Sequence, residues 1–429
     1  MSGLRIAAVA AWEALDSRGT PTVACEVALS GGATGCATVP SGASTGRHEA
    51  HELRDGGERY GGLGVARAVG SAVGPLAEAV TGLRADEQAT VDRALREVDG
   101  TPGLSRLGAN AVLAVSVATA LAAAAGRSEP LYRTIVAAGR SPLLPLPMVN
   151  IISGGAHAGW SVDMQDFLAV PVGATSFREA LEWAWRVRRA TAELAEQRGL
   201  VSTLVADEGG LGPALRTNRE ALDLLTGGIE RAGLAPGDDV AIAIDVAATQ
   251  LLEGDGYRLG RERRIVTARE LVSELAGWTA TYPIVSIEDP LGEDDWSGWA
   301  IASERLAHVQ LLGDDLFVTD PERLARGVSD GVANAVLVKP NQIGTLTSAH
   351  EVVRAAGHAG YATVLSARSG ETEDSWLADL AVGWRTGQIK VGSTTRAERT
   401  AKWNRLLRIE AELGPDARFA GRAALAPLG

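Results

Sequence analysis

Four short stretches decide the fold: PIVSIEDP (residues 283–290), QLLGDDLF (310–317), AVLVKPNQ (335–342) and ATVLSARSGETED (362–374). Each begins as an apolar run of strand length, rich in Val, Ile and Leu with little alternation, then meets a charged residue and gives way to a helical pattern. Parallel strands covered on both faces read this way. The charges therefore fall at the carboxyl ends of strands, where parallel α/β folds place their chemistry. Glu288, Asp314, Lys339 and Arg368 become neighbours in expectation. Reading outward adds Glu208 after STLVA, Asp245 after VAIAI and Lys390 after QI, so that seven charged groups are expected around one mouth.

The rest of the chain is consistent with two domains. Its 429 residues exceed an ordinary single domain and suit a barrel with a smaller partner. Residues 1–135 open with three strand-like runs separated by Gly, Ser and Pro turns, then show helical patterns at 64–80, 86–98 and 109–125, which predicts an α+β domain with an antiparallel meander. SPLLPLP at 141–147 marks the boundary. From 141 to 429 strands and helices alternate, with helices expected near 176–198 and 217–232. Nine strand-like runs appear there, one more than a closed eight-stranded barrel needs, so one is expected to be an excursion.

The net charge of −12 argues against nucleic acid or an anionic membrane as the main partner. Cys25 and Cys36 have no metal-ligand spacing and read as reduced residues of a cytoplasmic protein. The apolar stretch IAAVAAW is short and meets Glu13 and Asp16 at once, unlike a secretory signal. The alanine-rich segment 109–125 falls short of a spanning helix of about 20 residues and reads as a buried, closely packed one. Among 41 basic residues only three are lysine, at 339, 390 and 402. Arginine cannot give up its proton, whereas a crowded lysine can act as a base. Two of the three lysines stand at expected strand ends.

Asp245, Glu288 and Asp314 together suit a hard divalent cation, with Mg²⁺ expected; Asp289 and Asp315 beside them are assigned to support or capping. The Gly/Ser-rich loop at 40–50 lacks P-loop spacing but lets backbone approach a phosphate or metal and can act as a lid. GGAHAGW (154–160) places His157 between glycines, where an imidazole can meet ligand. His308, His350 and His358 lie in helical stretches and are expected at the surface.

DSRGTPTV (16–23), PSGASTG (40–46), ELRDG (52–56), GANAVLAVS (108–116), VADEGG (205–210), SIEDPL (286–291), GDDLFVT (313–319), VKPNQIG (338–344), RSGETED (368–374), QIK (388–390) and LLRIEAEL (406–413) resemble, in order, the signatures of the enolase family. The resemblance implies an N-terminal α+β lid domain, a C-terminal modified (β/α)8 barrel, and a homodimer or homo-octamer. It also implies dehydration of 2-phosphoglycerate to phosphoenolpyruvate with two Mg²⁺ ions. Carried over residue by residue, it makes Asp245, Glu288 and Asp314 ligands of the first magnesium and Ser44 a ligand of the second. Lys339 becomes the base and Glu208 the acid, with Asp166 and His157 beside them. Arg368 and Ser369 hold phosphate, and Gln165 and Lys390 hold the carboxylate side. Nearby metal charge and Lys390 are expected to lower the Lys339 pKa.

Four positions depart from the family pattern. Ala367 stands where a histidine usually precedes RSGETED, Asp166 where Glu follows Gln, Ser153 where Asn precedes the double glycine, and Trp160 closes a loop that is normally small and polar. Asp166 and Ala367 are expected to alter the same wall around leaving group and phosphate. Two enzymatic readings follow, with a small anionic phosphorylated or phosphonate carboxylic acid as substrate. One is ordinary enolase; the other is a paralogue resembling the carboxyphosphonoenolpyruvate synthases of phosphonate biosynthesis. A non-catalytic relative is a third reading, disfavoured by the intact metal, base and acid set.

Overall fold

The computed structural model describes residues 2–42 and 46–426. An antiparallel sheet, β1 (Ile6–Leu15), β2 (Pro21–Leu29) and β3 (Thr34–Thr38), begins the chain in the expected meander. The helix Ala109–Gly126 packs across β2 and β3. Alanines let it approach closely: the position a Cβ would take on Gly35 lies 2.1 Å from the Ala122 nitrogen, so no side chain fits there. By length and composition this helix could cross a membrane, against the expectation that it is too short, yet 83% of it is buried inside the protein. β2 and β3 pair Cys25 with Ala37 and Cys36 with Glu26, so the two thiols point to opposite faces and stay free.

The second domain opens with β4 (Leu146–Ser153), β5 (Asp166–Val170) and β6 (Ala241–Asp245). A small antiparallel sheet of β7 (Leu252–Glu253), β8 (Gly256–Leu259) and β9 (Arg264–Val266) then projects from it. β10 (Ile284–Glu288), β11 (Gln310–Gly313), β12 (Ala335–Val338), β13 (Ala362–Ser366) and β14 (Gly387–Gly392) join the first three in a closed barrel of eight strands, the last pairing with β4. β5 runs antiparallel to both neighbours, and every other pair in the barrel is parallel. Two helices, Phe177–Gln197 and Asn218–Arg231, follow β5 before β6, where a simple repeat would have one. Their starts are written locally, as Ser176 and Thr217 each accept a hydrogen bond from the backbone N–H three residues on. Thr267 and Glu270 form a reciprocal capping pair on the helix Ala268–Thr279.

The ninth strand-like run, STLVA, is the excursion. It is a loop whose Leu204 is 70% exposed, and only isolated bridges tie its end to the barrel. Its neighbours explain the failure: the run follows a helix by a few residues and finds no open barrel edge to join.

Alternation along the strands sorts the interior into layers, since residues two apart share a face. Ala243, Leu312 and Leu337 belong to an apolar cluster inside the barrel with Leu168 and Val364. Two residues further along stand Asp245, Asp314 and Lys339. Ser286, Gln310 and Gln388 make a hydrogen-bonded layer, and the residues two beyond Ser286 and Gln388 are Glu288 and Lys390. Because β5 is reversed, its first residue, Asp166, reaches the same mouth with Leu168 and Val170 behind it.

Candidate active site

Lys390 sits at the centre of the mouth. Its Nζ donates to Asp245 Oδ2 at 2.7 Å and to Glu288 Oε2 at 2.6 Å, on strands that place the two acids side by side. Gln165 Nε2 donates to Asp245 Oδ2 at 2.9 Å and is itself held by Gln250. Asp314, just past β11, takes Lys339 Nζ on Oδ2 and Gln342 Nε2 on Oδ1, the latter at 2.9 Å. Asp289 accepts the backbone N–H groups of Asp314 and Asp315 and so fixes that turn, which is the supporting role expected of it.

Glu208 reaches this mouth from the loop after STLVA, not from a strand end. Its carbonyl accepts the Ser393 N–H next to β14, and its side chain is buried. Burial alone would raise its pKa, but Arg399, His157, Lys390 and Lys339 outweigh that and leave it lowered. Asp166 shows the opposite balance. Its burial and the Glu208 charge push its pKa well up against the pull of Lys390, so the two neighbouring carboxyls are driven in opposite directions.

For Lys339 the expected lowering rests on metal charge and Lys390, and the protein's own acids act against it. Burial works to lower its pKa, but the Asp314 carboxylate, with Glu288 behind it, overrides this and raises it. A neutral amine there requires the Asp314 charge to be engaged by something else. The acid set fits a divalent cation in that role. Burial and the nearby Asp245 push the Glu288 pKa well up, and Glu288 Oε1 is a buried oxygen with no hydrogen-bond partner. Among the described residues the all-acid group whose oxygens lie within 4.8 Å of one another is Asp289, Asp314 and Asp315, so of the three expected ligands only Asp314 belongs to it. Ser44, expected at a second ion, lies outside the described residues.

Arg368 and Ser369 follow β13 and are buried. Arg368 is paired with Glu49, whose neighbours are docked on the barrel: Arg47 N–H donates to Glu293 Oε2 at 2.9 Å, and His48 Nε2 lies 3.0 Å from Asp294 Oδ1. Asp166 and Ala367 do not share a wall. Asp166 lies on β5 against Asn150 and Ser153 of β4, whereas the Ala367 N–H bonds to the Lys390 carbonyl on the β13/β14 side, so β14 and β4 lie between their strands. Ser153 and Asp166 belong together, since the Ser153 hydroxyl donates to Asp166 Oδ1 at 2.9 Å. His350 is also not a surface residue: it is half-buried and stacks on Trp384 at 5.1 Å.

Several organising residues escaped sequence reading. Arg399 is fully buried and donates to the carbonyls of Arg368, Val391 and Ser369, tying together the loops that carry the site. Lys402, the third lysine, is buried on Glu371 at 2.7 Å and on the Thr372 carbonyl. All three lysines therefore work inside the barrel mouth or its supporting loop. Glu49 and Gln342 lay within motifs already noted, but the Glu49 partners Arg368 and Gln342 are hundreds of positions away from it.

Residues 6–135 match the family model for the enolase N-terminal domain, and residues 141–428 match that for the enolase C-terminal TIM barrel domain. The two matches leave only a short connection and the chain ends uncovered. Together with a closed barrel whose mouth gathers the acids and lysines just described, they show that the chain belongs to the enolase family, as a lyase of that superfamily with an acidic group able to bind a metal ion.

Proposed function

We propose that the protein is a Mg²⁺-dependent hydro-lyase that removes a proton alpha to a carboxylate and expels the β-hydroxyl of 2-phosphoglycerate or a close phospho or phosphono analogue. The observation that carries this reading is the pairing of Lys339 with Asp314 and of Lys390 with Asp245 and Glu288, with buried Glu208 within the influence of both lysines. Asp245, Glu288 and Asp314 would hold Mg²⁺, which would supply positive charge where the substrate carboxylate gains electron density. A lysine base working beside magnesium is a pattern general to this superfamily. Lys339 Nζ takes the alpha proton, and Pro340 holds the lysine in extended backbone at the strand end. On the other side a carboxyl of the Glu208 and Asp166 pair gives a proton to the departing hydroxyl, with Glu208 as the donor after taking a proton from solvent as substrate charge raises its pKa. Lys390 and Gln165 orient the carboxylate, and Arg368 with Ser369 faces the phosphorus group. His157 closes the pocket. Assembly into a homodimer or larger homo-oligomer belongs to the same reading and is read by light scattering.

The analogue is favoured by the space around Arg368. A cavity of about 680 Å³ opens beside it, lined by Arg18, Glu49, His51, Arg54 and Asn341. Ala367 contributes only a methyl group where an imidazole is usual. A phosphorus group bearing its own carboxylate finds both room and arginines there. The test is ultraviolet detection of enolpyruvate formation from 2-phosphoglycerate with Mg²⁺. Turnover at ordinary enolase rates supports the plain dehydratase, slow turnover supports the analogue, and no magnesium-dependent product from either class of substrate removes the proposal.

A further inference from the structure

The end of the barrel away from Lys339 and Lys390 carries a cationic hollow without a counter-charge. A cavity of about 650 Å³ opens at the amino ends of β13 and β14, lined by Arg140 of the connection between the domains, Arg354 of the helix Leu346–His358 and Arg385, the residue after the helix Trp376–Trp384. No Asp or Glu lines it. Elsewhere arginines meet carboxylates, as Arg405 meets Asp379 and Arg264 meets Glu274. Among the described residues none of these three is ion-paired, although the chain as a whole has a net charge of −12. Arg385 is held against its own preferences. Its backbone is left-handed, at φ 60°, where a helix normally ends on glycine. Its Nη1 donates to the Ser141 carbonyl, which fixes the guanidinium, yet its Nε is buried with no hydrogen-bond partner. Burial and the charges of Arg140 and Arg418 all weaken its hold on its proton. Buried donors are normally satisfied, and an anion among these arginines relieves both the open donor and the crowding of like charge.

A second well of about 390 Å³, between the two domains, adjoins the first and shares His350, Arg354 and Trp384 with it. Ala89, Ala120 and Ala123 of the first domain face Leu346 and Leu380 of the barrel across it, and the Arg127 there is already paired with Asp86. The His350 ring, stacked on Trp384, stands where the two wells meet. We propose that the pair of wells binds an organic phosphate, with its phosphate groups on Arg140, Arg354 and Arg385 and its flat ring in the well between the domains. Guanidinium forks match phosphate oxygens in pairs, and the cationic cavity has the size of a small-molecule site, larger than a single phosphate needs. A nucleoside diphosphate has both parts. The site rests on neither the lyase reaction nor Arg368, which stands past the carboxyl end of β13.

The experiment is isothermal titration calorimetry of ADP with the full chain in magnesium-free buffer, with folding of each variant followed by circular dichroism. One ADP per chain is expected. Arg354→Gln and Arg385→Gly each weaken it by about tenfold or more, the scale of one charge-assisted hydrogen bond. Glycine suits the left-handed backbone at 385, so that variant keeps its fold while losing the guanidinium. Pyrophosphate and adenosine, which fill one well each, bind more weakly than ADP, and Arg368→Gln leaves ADP affinity within the error of the wild type. Absence of ADP binding, or affinity unchanged in folded Arg354→Gln, overturns the inference. So does a loss in Arg368→Gln equal to that in the Arg354 variant, because ADP then sits in the lyase site. Pyrophosphate as tight as ADP overturns the use of the second well. Should Arg385→Gly fail to fold, Arg354→Gln decides, since that side chain is exposed and holds no other group in place.

Discussion

Glu49 and Arg368, 319 positions apart, form a bidentate pair at the join of the two domains, with Arg368 Nη1 2.8 Å from Glu49 Oε2 and Nη2 3.3 Å from Oε1. Both side chains are buried, and Glu49 also accepts the Gly46 N–H and Gln342 Nε2. The carboxylate thus holds the guanidinium assigned to the phosphorus group and reaches toward Asp314 through Gln342.

Removing one member of such a pair leaves the other charge buried. Glu49→Ala is expected to destabilise the protein by about 3–5 kcal/mol. Inorganic phosphate should restore part of this by offering Arg368 a replacement anion, and should stabilise the variant more than the wild type. Thermal unfolding with and without phosphate checks it; equal phosphate shifts would mean that Glu49 does not stand at an anion position.

Asp245→Ala, Glu288→Ala and Asp314→Ala should each abolish magnesium-dependent turnover. Magnesium at about a hundred times its dissociation constant should stabilise the wild type by about 2.7 kcal/mol, an effect the variants lose. Full activity in chelator would rule out the acid set as the metal site.

Lys339→Arg should be as damaging as Lys339→Ala, because arginine keeps the charge but cannot accept the proton. Solvent deuterium exchange at the substrate alpha carbon measures this step without the elimination. Its survival in Lys339→Arg would assign the base elsewhere.

Because β14 and β4 lie between the strands that carry Ala367 and Asp166, their effects should be independent. Ala367→His should raise turnover of 2-phosphoglycerate, at ~1.4 kcal/mol for each tenfold gain. Asp166→Glu should by itself cost about 1–3 kcal/mol of stability, since the added methylene meets Asn150 and Ser153 in a closed site. Steady-state rates and denaturant unfolding of the single and double variants separate the two; strong non-additivity would restore a shared wall.

The thiols offer a check on the first domain. Burial pushes Cys25 up to about 12, and Cys36, raised chiefly by burial with Asp374 and Glu26 adding to it, is exposed. Alkylation at neutral pH should modify Cys36 slowly and Cys25 only when denaturant opens the sheet. Equal labelling of both in the folded protein would contradict the β2/β3 register.

The barrel was legible because strand and charge recur together: Asp245, Glu288, Asp314 and Lys339 follow apolar runs whose interior residues sit two positions earlier. STLVA misled for the same reason, since an apolar run carries no mark of whether a barrel edge is free to receive it. Glu208 was found through a strand that does not exist, and its position depends on the loop's contact with Ser393. Arg399 and the Glu49 pair were invisible because their partners are set by the docking of domains and of the last helix, not by any local pattern. The expected lowering of the Lys339 pKa rested on metal charge and on Lys390; Lys390 does act in that direction, while the Asp314 carboxylate beside the ammonium acts against it.

The confinement of lysine to the barrel mouth and its supporting loop has a chemical consequence. The side chains of Lys339, Lys390 and Lys402 are 13%, 7% and 1% exposed, so the outer surface carries its positive charge entirely as guanidinium. To acylating reagents, amine cross-linkers and lysine-modifying enzymes the folded chain presents almost no side-chain target. Any such modification at Lys339 or Lys390 would land within the site itself.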